Sequence, residues 1–297
     1  MQPLPFSFFK GGVILEVQAL REDLGITKLP DYIKHKIEFR RENPHFFNDV
    51  GTMIFCGKQG AGKTLSAVNY VYNLFEMYPY MILVTNVQMR DYPFNCGYRV
   101  KNGVGEIYEL ETGEIIRTGD YHTDDNDIVL GKIPYCCIEY DGLDCLKYIT
   151  NDQVGVVYFI DELHLELNSL ESKNIDIDVI VEISQQRKQR KKIIGTSQVY
   201  MRLAKPIREQ IFDVVICRCF FGCLQFNKNI DGETATEENG KLHADVKKRV
   251  LWFHQYDMYG RYDTYAKMKR YNKEWKGHAR DPVSSIPSSV TLKGVVA

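Results

Sequence analysis

Short runs rich in hydrophobic residues recur along the middle of the chain and predict buried strands. They occupy residues 52–56, 81–84, 156–160, 193–196 and 214–217. Residues 63–78 instead repeat apolar side chains at helical spacing, and Pro79 then ends the predicted helix. Strands that are apolar throughout and alternate with helices indicate a parallel sheet covered on both faces. The predicted fold class is therefore α/β, with a mainly parallel sheet flanked by helices.

Two further regions look like additions to that core. Residues 106–117 alternate polar and apolar positions around a Glu-Thr-Gly turn, which predicts a β-hairpin. Residues 224–262 repeat this pattern on a larger scale, with Asp-Gly and Asn-Gly turn signals. The predicted organisation is an N-terminal extension (1–50), a core (51–220) with an insertion at about 88–150, a β-rich basic and aromatic region (221–280) and a Pro/Ser-rich tail (281–297).

The composition narrows the class of protein. With 297 residues, 44% of them hydrophobic and only 10 prolines, the chain is neither fibrous nor disordered. Most of the eight cysteines lie inside apolar runs, which is typical of buried thiols in a reducing cytoplasm, and their spacing does not fit zinc. No apolar run is long enough to span a membrane, and the N-terminus does not resemble a signal peptide. We therefore expect a cytoplasmic protein with no intrinsic membrane span.

Charge is distributed in blocks although the formal net charge is only -1. Residues 102–178 carry 18 acids against four bases, whereas residues 187–208 carry eight bases and no acid. Residues 241–280 add eleven bases against four acids, interleaved with aromatic side chains. Cations among aromatics suit contact with nucleic acid, but a small β-rich lid whose aromatics fill its own core is the simpler interpretation.

A phosphate-binding loop is the strongest signal in the chain. Residues 57–64 satisfy the pattern G-x-x-x-x-G-K-[ST] between a predicted strand and a predicted helix, the context that this pattern requires. Lys63 is expected to reach the β- and γ-phosphates of ATP, and the Thr64 hydroxyl to ligate Mg²⁺. The predicted nucleotide-binding residues of this loop are Gly57, Lys58, Gln59, Gly60, Ala61, Gly62, Lys63 and Thr64.

Two carboxylates follow the strand predicted at residues 156–160. Asp161 would hold Mg²⁺ and belong to the nucleotide site, and Glu162 would polarise the attacking water as a general base. The alternative is an acidic strand end that caps the following helix. Because a nucleotide held by the loop needs a magnesium partner, we favour the catalytic interpretation, which implies hydrolysis.

Polar residues around the strand at 193–196 add two further candidates. Gln198 follows that strand and would contact the γ-phosphate or the attacking water, although such a glutamine is equally often a surface residue. The basic run at residues 187–192 is predicted to close a helix. One of its arginines would act as an arginine finger in a neighbouring subunit, and the other bases would contact nucleic-acid phosphates. The alternative is a solvated basic face.

With these residues placed, the chain resembles the FtsK/HerA superfamily of DNA-pumping ATPases, and within it the zonula occludens toxin (Zot)-like branch of phages and mobile elements. The resemblance rests on the loop at 57–64, on Asp161 and Glu162, and on the segment from residue 184 to Gln198. It implies a RecA-like (ASCE) P-loop fold and a homo-oligomeric ring, a hexamer or a pentamer, that moves DNA. The arginine finger then falls on Arg187, with Arg190 second.

One departure from the family separates the possible roles. Zot-like assembly proteins of filamentous phages carry a membrane span after the ATPase core, and no such run is found here. This favours a motor in the host cytoplasm that packages DNA into a capsid or docks on a separate membrane channel, so a capsid portal or a channel protein would be its partner. A large terminase fits less well. The alternatives are an ATPase that remodels protein partners and a nucleotide switch with little turnover.

Overall fold

The computed structural model describes residues 29–118, 133–238 and 241–262. The predicted tail and the aromatic segment after residue 262 lie outside these ranges. Within them the helices are α1 (Leu29–Glu42), α2 (Lys63–Met77), α3 (Cys145–Tyr148), α4 (Ile177–Gln185) and α5 (Lys205–Arg208). The strands are β1 (Gly51–Cys56), β2 (Ile82–Thr85), β3 (Cys96–Lys101), β4 (Val104–Glu109), β5 (Ile115–Thr118), β6 (Cys137–Glu139), β7 (Val156–Ile160), β8 (Lys191–Ser197), β9 (Ile211–Phe220), β10 (Leu224–Asp231), β11 (Thr236–Glu238), β12 (Lys241–His243) and β13 (Val246–Phe253).

A single eleven-stranded sheet dominates the fold, in the order β13-β10-β9-β1-β8-β7-β2-β6-β3-β4-β5. The strands from β9 to β6 pair in parallel, so their carboxyl ends share one edge of the sheet. Antiparallel strands extend the sheet on both sides. The predicted α/β class with a mainly parallel sheet flanked by helices is confirmed.

The two faces of the sheet are covered by different helices. Along β1, Ile54 packs on one face with α4 residues, and the next residue, Phe55, packs on the other face with α2. Successive side chains of a strand point to opposite faces of the sheet, and here helices cover both faces. The central strands are therefore apolar at every position rather than at alternate ones.

The two predicted additions are present as antiparallel strands. β4 and β5 form the hairpin predicted at residues 106–117. β10 and β13 continue the main sheet beyond β9, while β11 and β12 form a separate two-stranded ribbon. Within the described part of the chain, no helix is both long and apolar enough to cross a membrane.

The basic run at residues 187–192 does not close a helix, so that prediction was wrong. α4 already ends at Gln185, and the last two lysines of the run open β8 as buried residues. Lys191 Nζ donates to Glu182 at 2.9 Å, and Lys192 Nζ donates to Asp49 at 2.6 Å. These cations are paired inside the fold, and only the first part of the run remains available to a partner.

Candidate functional site

Polar residues follow four neighbouring strands at the shared carboxyl edge of the sheet. The loop at 57–64 leaves β1, Gln198 follows β8, and Asp161 follows β7. Asn86 follows β2 directly. Ligands of open α/β sheets bind at the carboxyl ends of the strands, and the residues that the sequence nominated from β1, β7 and β8 all lie at this edge.

The loop at 57–64 has backbone donors free to meet an anion. The N–H groups of Gln59, Gly60 and Gly62 have no acceptor within the described ranges. They stand at the start of the 15-residue helix α2, where the helix dipole favours negative charge. Lys63 is 7% exposed, and its Nζ donates back to Lys58 O at 3.3 Å. The lysine is thereby folded over the loop, where a phosphate would meet both it and the free N–H groups.

Asp161 is bonded to the phosphate-binding loop. Its Oδ1 accepts hydrogen bonds from Thr64 Oγ1 at 2.9 Å and from Thr196 Oγ1 at 2.5 Å. Asn86 fixes its backbone, because Asp161 N–H donates to Asn86 Oδ1 at 2.9 Å and Asn86 Nδ2 donates to Asp161 O at 3.1 Å. Burial raises the pKa of Asp161, although both hydroxyl hydrogen bonds act in the opposite direction. A buried carboxylate with hydroxyl partners is well suited to a cation.

Glu162 has an unusual backbone conformation. Its φ of 54° is left-handed, which costs roughly 1–2 kcal/mol for a residue with a Cβ. Its N–H donates to Thr196 Oγ1 at 2.8 Å, so one threonine ties both acids to β8. The Glu162 side chain makes no capping hydrogen bond to the short 3₁₀ turn Leu163–Leu165 that follows. The capping alternative therefore has no support in the structure.

The Glu162 carboxylate lies beside a buried histidine. Its buried Oε2 is 3.2 Å from His164 Nδ1, and neither atom has another hydrogen-bond partner among the residues described. Burial lowers the pKa of His164. The Glu162 side chain is 26% exposed and directly follows Asp161, which is the position that a group accepting a proton from water requires.

The remaining predicted residues lie at two different edges. Gln198 is exposed at the carboxyl edge of the parallel strands, where the loop at 57–64 lies. Arg187 is exposed before the opposite end of β8, and Arg190 stacks its guanidinium 4.0 Å above the Phe46 ring. Because seven residues of strand separate the two ends of β8, the arginines lie roughly 20 Å from that edge. Neither arginine can reach its own loop.

Sequence reasoning missed the support that the C-terminal strands give to the loop. Gln225 of β10 is fully buried, and its Nε2 donates to Ala61 O at 3.0 Å and to Asn227 Oδ1 at 2.8 Å. Gly62 has a φ of 75°, and a Cβ there would lie 2.2 Å from Gln225 Oε1. Asn227 in turn accepts from and donates to Ser66 of α2. Polar residues at alternate positions of β10 were the available signal.

Comparison with known proteins is limited to structure. No family model matches the chain, and no curated protein matches it. The solved structures to which it is similar include the N-terminal domain of zonular occludens toxin from Neisseria meningitidis, at 13% identity and a TM-score of 0.43, over 72% of this chain and 98% of that one.

Two other similar structures are those of a viral genome packaging NTPase and a flagellar accessory protein. The genome packaging NTPase of Sulfolobus turreted icosahedral virus 2 matches with 11% identity and a TM-score of 0.40, over 70% of this chain and 97% of that one. The flagellar accessory protein FlaH from Methanocaldococcus jannaschii matches with 12% identity and a TM-score of 0.35, over 68% and 84%. Likeness at this level assigns no activity.

Proposed function

We propose that the protein is an ATP-hydrolysing DNA translocase, a ring-forming motor that packages or transfers the genome of a phage or mobile element. The observation that carries the ATPase part is the hydrogen bond between Thr64 of the phosphate-binding loop and Asp161, with the partly exposed Glu162 directly after it. A loop, a buried acid and a partly exposed acid at one sheet edge are the parts that phosphoryl transfer to water needs.

The loop residues would hold the phosphates of ATP. The free N–H groups of Gln59, Gly60 and Gly62 and the Lys63 ammonium supply donors for the phosphate oxygens. The oxygens of Thr64 and Asp161 fit Mg²⁺, a hard cation that prefers oxygen ligands. When bound, Mg²⁺ neutralises charge on the transferred phosphoryl group.

Glu162 and two polar residues would complete the reaction. Glu162 would accept a proton from the attacking water, because it directly follows Asp161 and its side chain is partly exposed. Gln198 lies at the same edge and would orient that water or the γ-phosphate. Arg187 would enter the site of an adjacent subunit, since it is exposed and too far from its own.

The DNA part of the proposal rests on the basic regions and on the resemblance to DNA-pumping ATPases. The host cytoplasm would be its location, and a capsid portal or a membrane-channel protein its docking partner. The second candidate is an ATPase that remodels protein partners in phage assembly or secretion. Stimulation of hydrolysis by DNA separates the two, because only a translocase couples turnover to the polymer.

Hydrolysis itself is tested at Lys63 and Glu162. Lys63→Ala should abolish ATP binding, since it removes the cation directed at the β- and γ-phosphates. Glu162→Gln should retain ATP binding and lose hydrolysis, because the loop and Asp161 remain while the base is lost. Radiolabelled ATP binding and phosphate release measure the two steps, and Glu209→Gln, at an exposed position directly after α5, is the matched control. Hydrolysis by Glu162→Gln at the wild-type rate would contradict the assignment of the base.

A further inference from the structure

Three antiparallel strands present one open face to solvent. The pairing of β9, β10 and β13 places nine side chains on this face in three rows. The rows are Phe220–Leu224–Phe253, Arg218–Phe226–Leu251 and Ile216–Lys228–Arg249. We call these nine residues the open face. The opposite face of the same strands carries Gln225 and Asn227, which contact the phosphate-binding loop and α2.

The apolar side chains of the open face are unusually accessible. Phe220 is 46% exposed, Leu251 is 61% exposed and Phe253 is 69% exposed. Phe226, in the centre, is only partly buried. The expectation that the aromatics of this region fill a core of their own does not hold for these residues. Their arrangement is a flat apolar surface at the carboxyl end of β9.

The cations of the same face have no partner of their own. Arg218 and Arg249 are exposed and Lys228 is half-buried, and none of the three forms an ion pair or side-chain hydrogen bond with the residues described. None of the nine residues of the face carries a carboxylate. Lys247, two residues before Arg249 in β13, is by contrast paired with Asp213 and Asp231.

We propose that the open face binds a single-stranded segment of nucleic acid, with phosphates at Arg218, Lys228 and Arg249 and unpaired bases stacked on Phe220, Phe226 and Phe253. A polyanion with flat aromatic bases satisfies the cations and the exposed rings together. A duplex would offer phosphates but keep its base faces stacked inside. A second copy of the chain would have to bring carboxylates to three separate cations.

This assignment rests on the proposed function, which it deepens, because it names the form of nucleic acid and its place on the fold. It also moves the contact surface away from residues 187–192, whose last two lysines are buried ion-pair partners. β10 would then contact nucleic acid on one face and the phosphate-binding loop on the other.

Fluorescence anisotropy with a labelled oligothymidylate of about 20 nucleotides tests the charges. Arg218→Gln/Arg249→Gln should weaken binding and make the slope of log K against log[salt] shallower by about 1.4, from about 0.7 per phosphate contact. Lys36→Gln/Lys101→Gln removes the same charge from exposed sites elsewhere and should change neither quantity. A slope equal in both variants would overturn the proposal.

A second variant tests stacking separately from charge. Phe253→Ala should weaken binding roughly 5- to 150-fold with an unchanged salt slope, because stacking is not ionic. Tyr32→Ala, which truncates a 64% exposed aromatic of α1, is its control. Unchanged affinity in Phe253→Ala, or tighter binding of a duplex of the same length, would also overturn the proposal.

Two measurements on the same samples separate the competing outcomes. ATP hydrolysis without nucleic acid should be equal in all four variants, which shows that they fold. If hydrolysis persists while the open-face variants bind the oligonucleotide as the wild type does, this inference fails and the ATPase proposal stands. If those variants instead lose self-association by light scattering at unchanged oligonucleotide affinity, the face is an interface between copies and the inference is wrong.

Discussion

The buried carboxylate of Asp161 lowers the free energy of unfolding. Burial raises its pKa above the ordinary value of 3.8, so the folded protein holds the carboxyl proton more tightly than the unfolded chain. The free energy of unfolding therefore falls as pH rises from about 4 through the raised pKa. A cation beside the carboxylate would remove this penalty.

Asp161→Asn should therefore stabilise the nucleotide-free protein while abolishing magnesium-dependent hydrolysis. The amide oxygen still accepts from Thr64 and Thr196, but no charge is buried. At pH 7 the Tm should rise by about 2–4 °C for each kcal/mol gained. The gain should shrink as pH falls towards 4, because the wild-type carboxyl then becomes protonated.

Scanning calorimetry at several pH values checks this prediction. Asp144→Asn, on an exposed side chain paired with Lys147, is the control and should change the Tm little. A Tm gain that is independent of pH would mean that the stabilisation does not come from the charge of Asp161.

Individual elements differ in how far the sequence predicts them. The central strands and α2 follow from local patterns, because apolar runs and helical spacing are read within a few residues. The inward position of Lys191 and Lys192 could not be predicted, since Asp49 lies 143 positions from Lys192, and Glu182 reaches Lys191 only because the chain turns back between α4 and β8. A run of charged residues is interpreted as solvent-exposed unless the acids that pair with it are known.

The candidate site was predictable where local sequence patterns mark its residues. The loop is recognised by a fixed motif, and Asp161 by its position directly after a buried strand. Asn86 follows β2 in the same way and was within reach of that rule. Alternating polar residues marked β10, but the contact of Gln225 with Ala61 was not predictable, because it spans 164 positions of the chain.

At the scale of elements, β10 should control the order of the phosphate-binding loop. Gln225→Ala leaves the Ala61 carbonyl without its donor, and a buried unpaired group costs about 1–3 kcal/mol. We expect a higher KM for ATP with a smaller change in kcat, because the loop binds phosphate but Glu162 is untouched. Steady-state kinetics separates the two constants.

Two further variants identify the cause. Gln225→Met keeps the bulk beside Gly62 but has no donor, so it should share the KM defect if the hydrogen bond matters. Asn229→Ala, on the same strand and face but with no side-chain hydrogen bond to the described residues, is the control. An unchanged KM in both Gln225 variants would show that β10 does not order the loop.

The whole molecule has one feature that a single chain does not explain. Its nucleotide edge has Lys63 as the cation for the phosphates, while the exposed Arg187 lies roughly 20 Å away at the other end of β8. Arg190 is engaged with Phe46 of its own chain and is the weaker candidate. A ring would bring Arg187 of one subunit to the nucleotide of the next.

Arg187→Ala should therefore keep ATP binding and lose most hydrolysis, by about 10³–10⁵ in rate if the arginine acts as a finger. Lys188→Ala removes the neighbouring exposed cation and should leave the rate unchanged. Mixing Arg187→Ala with Lys63→Ala subunits should restore part of the turnover, because some interfaces then pair an intact loop with an intact arginine. Phosphate release across a series of mixing ratios measures the rescue. Inactive mixtures, with a monomer by light scattering at the same concentration, would exclude an arginine supplied by a neighbour and would remove the main physical reason for a ring.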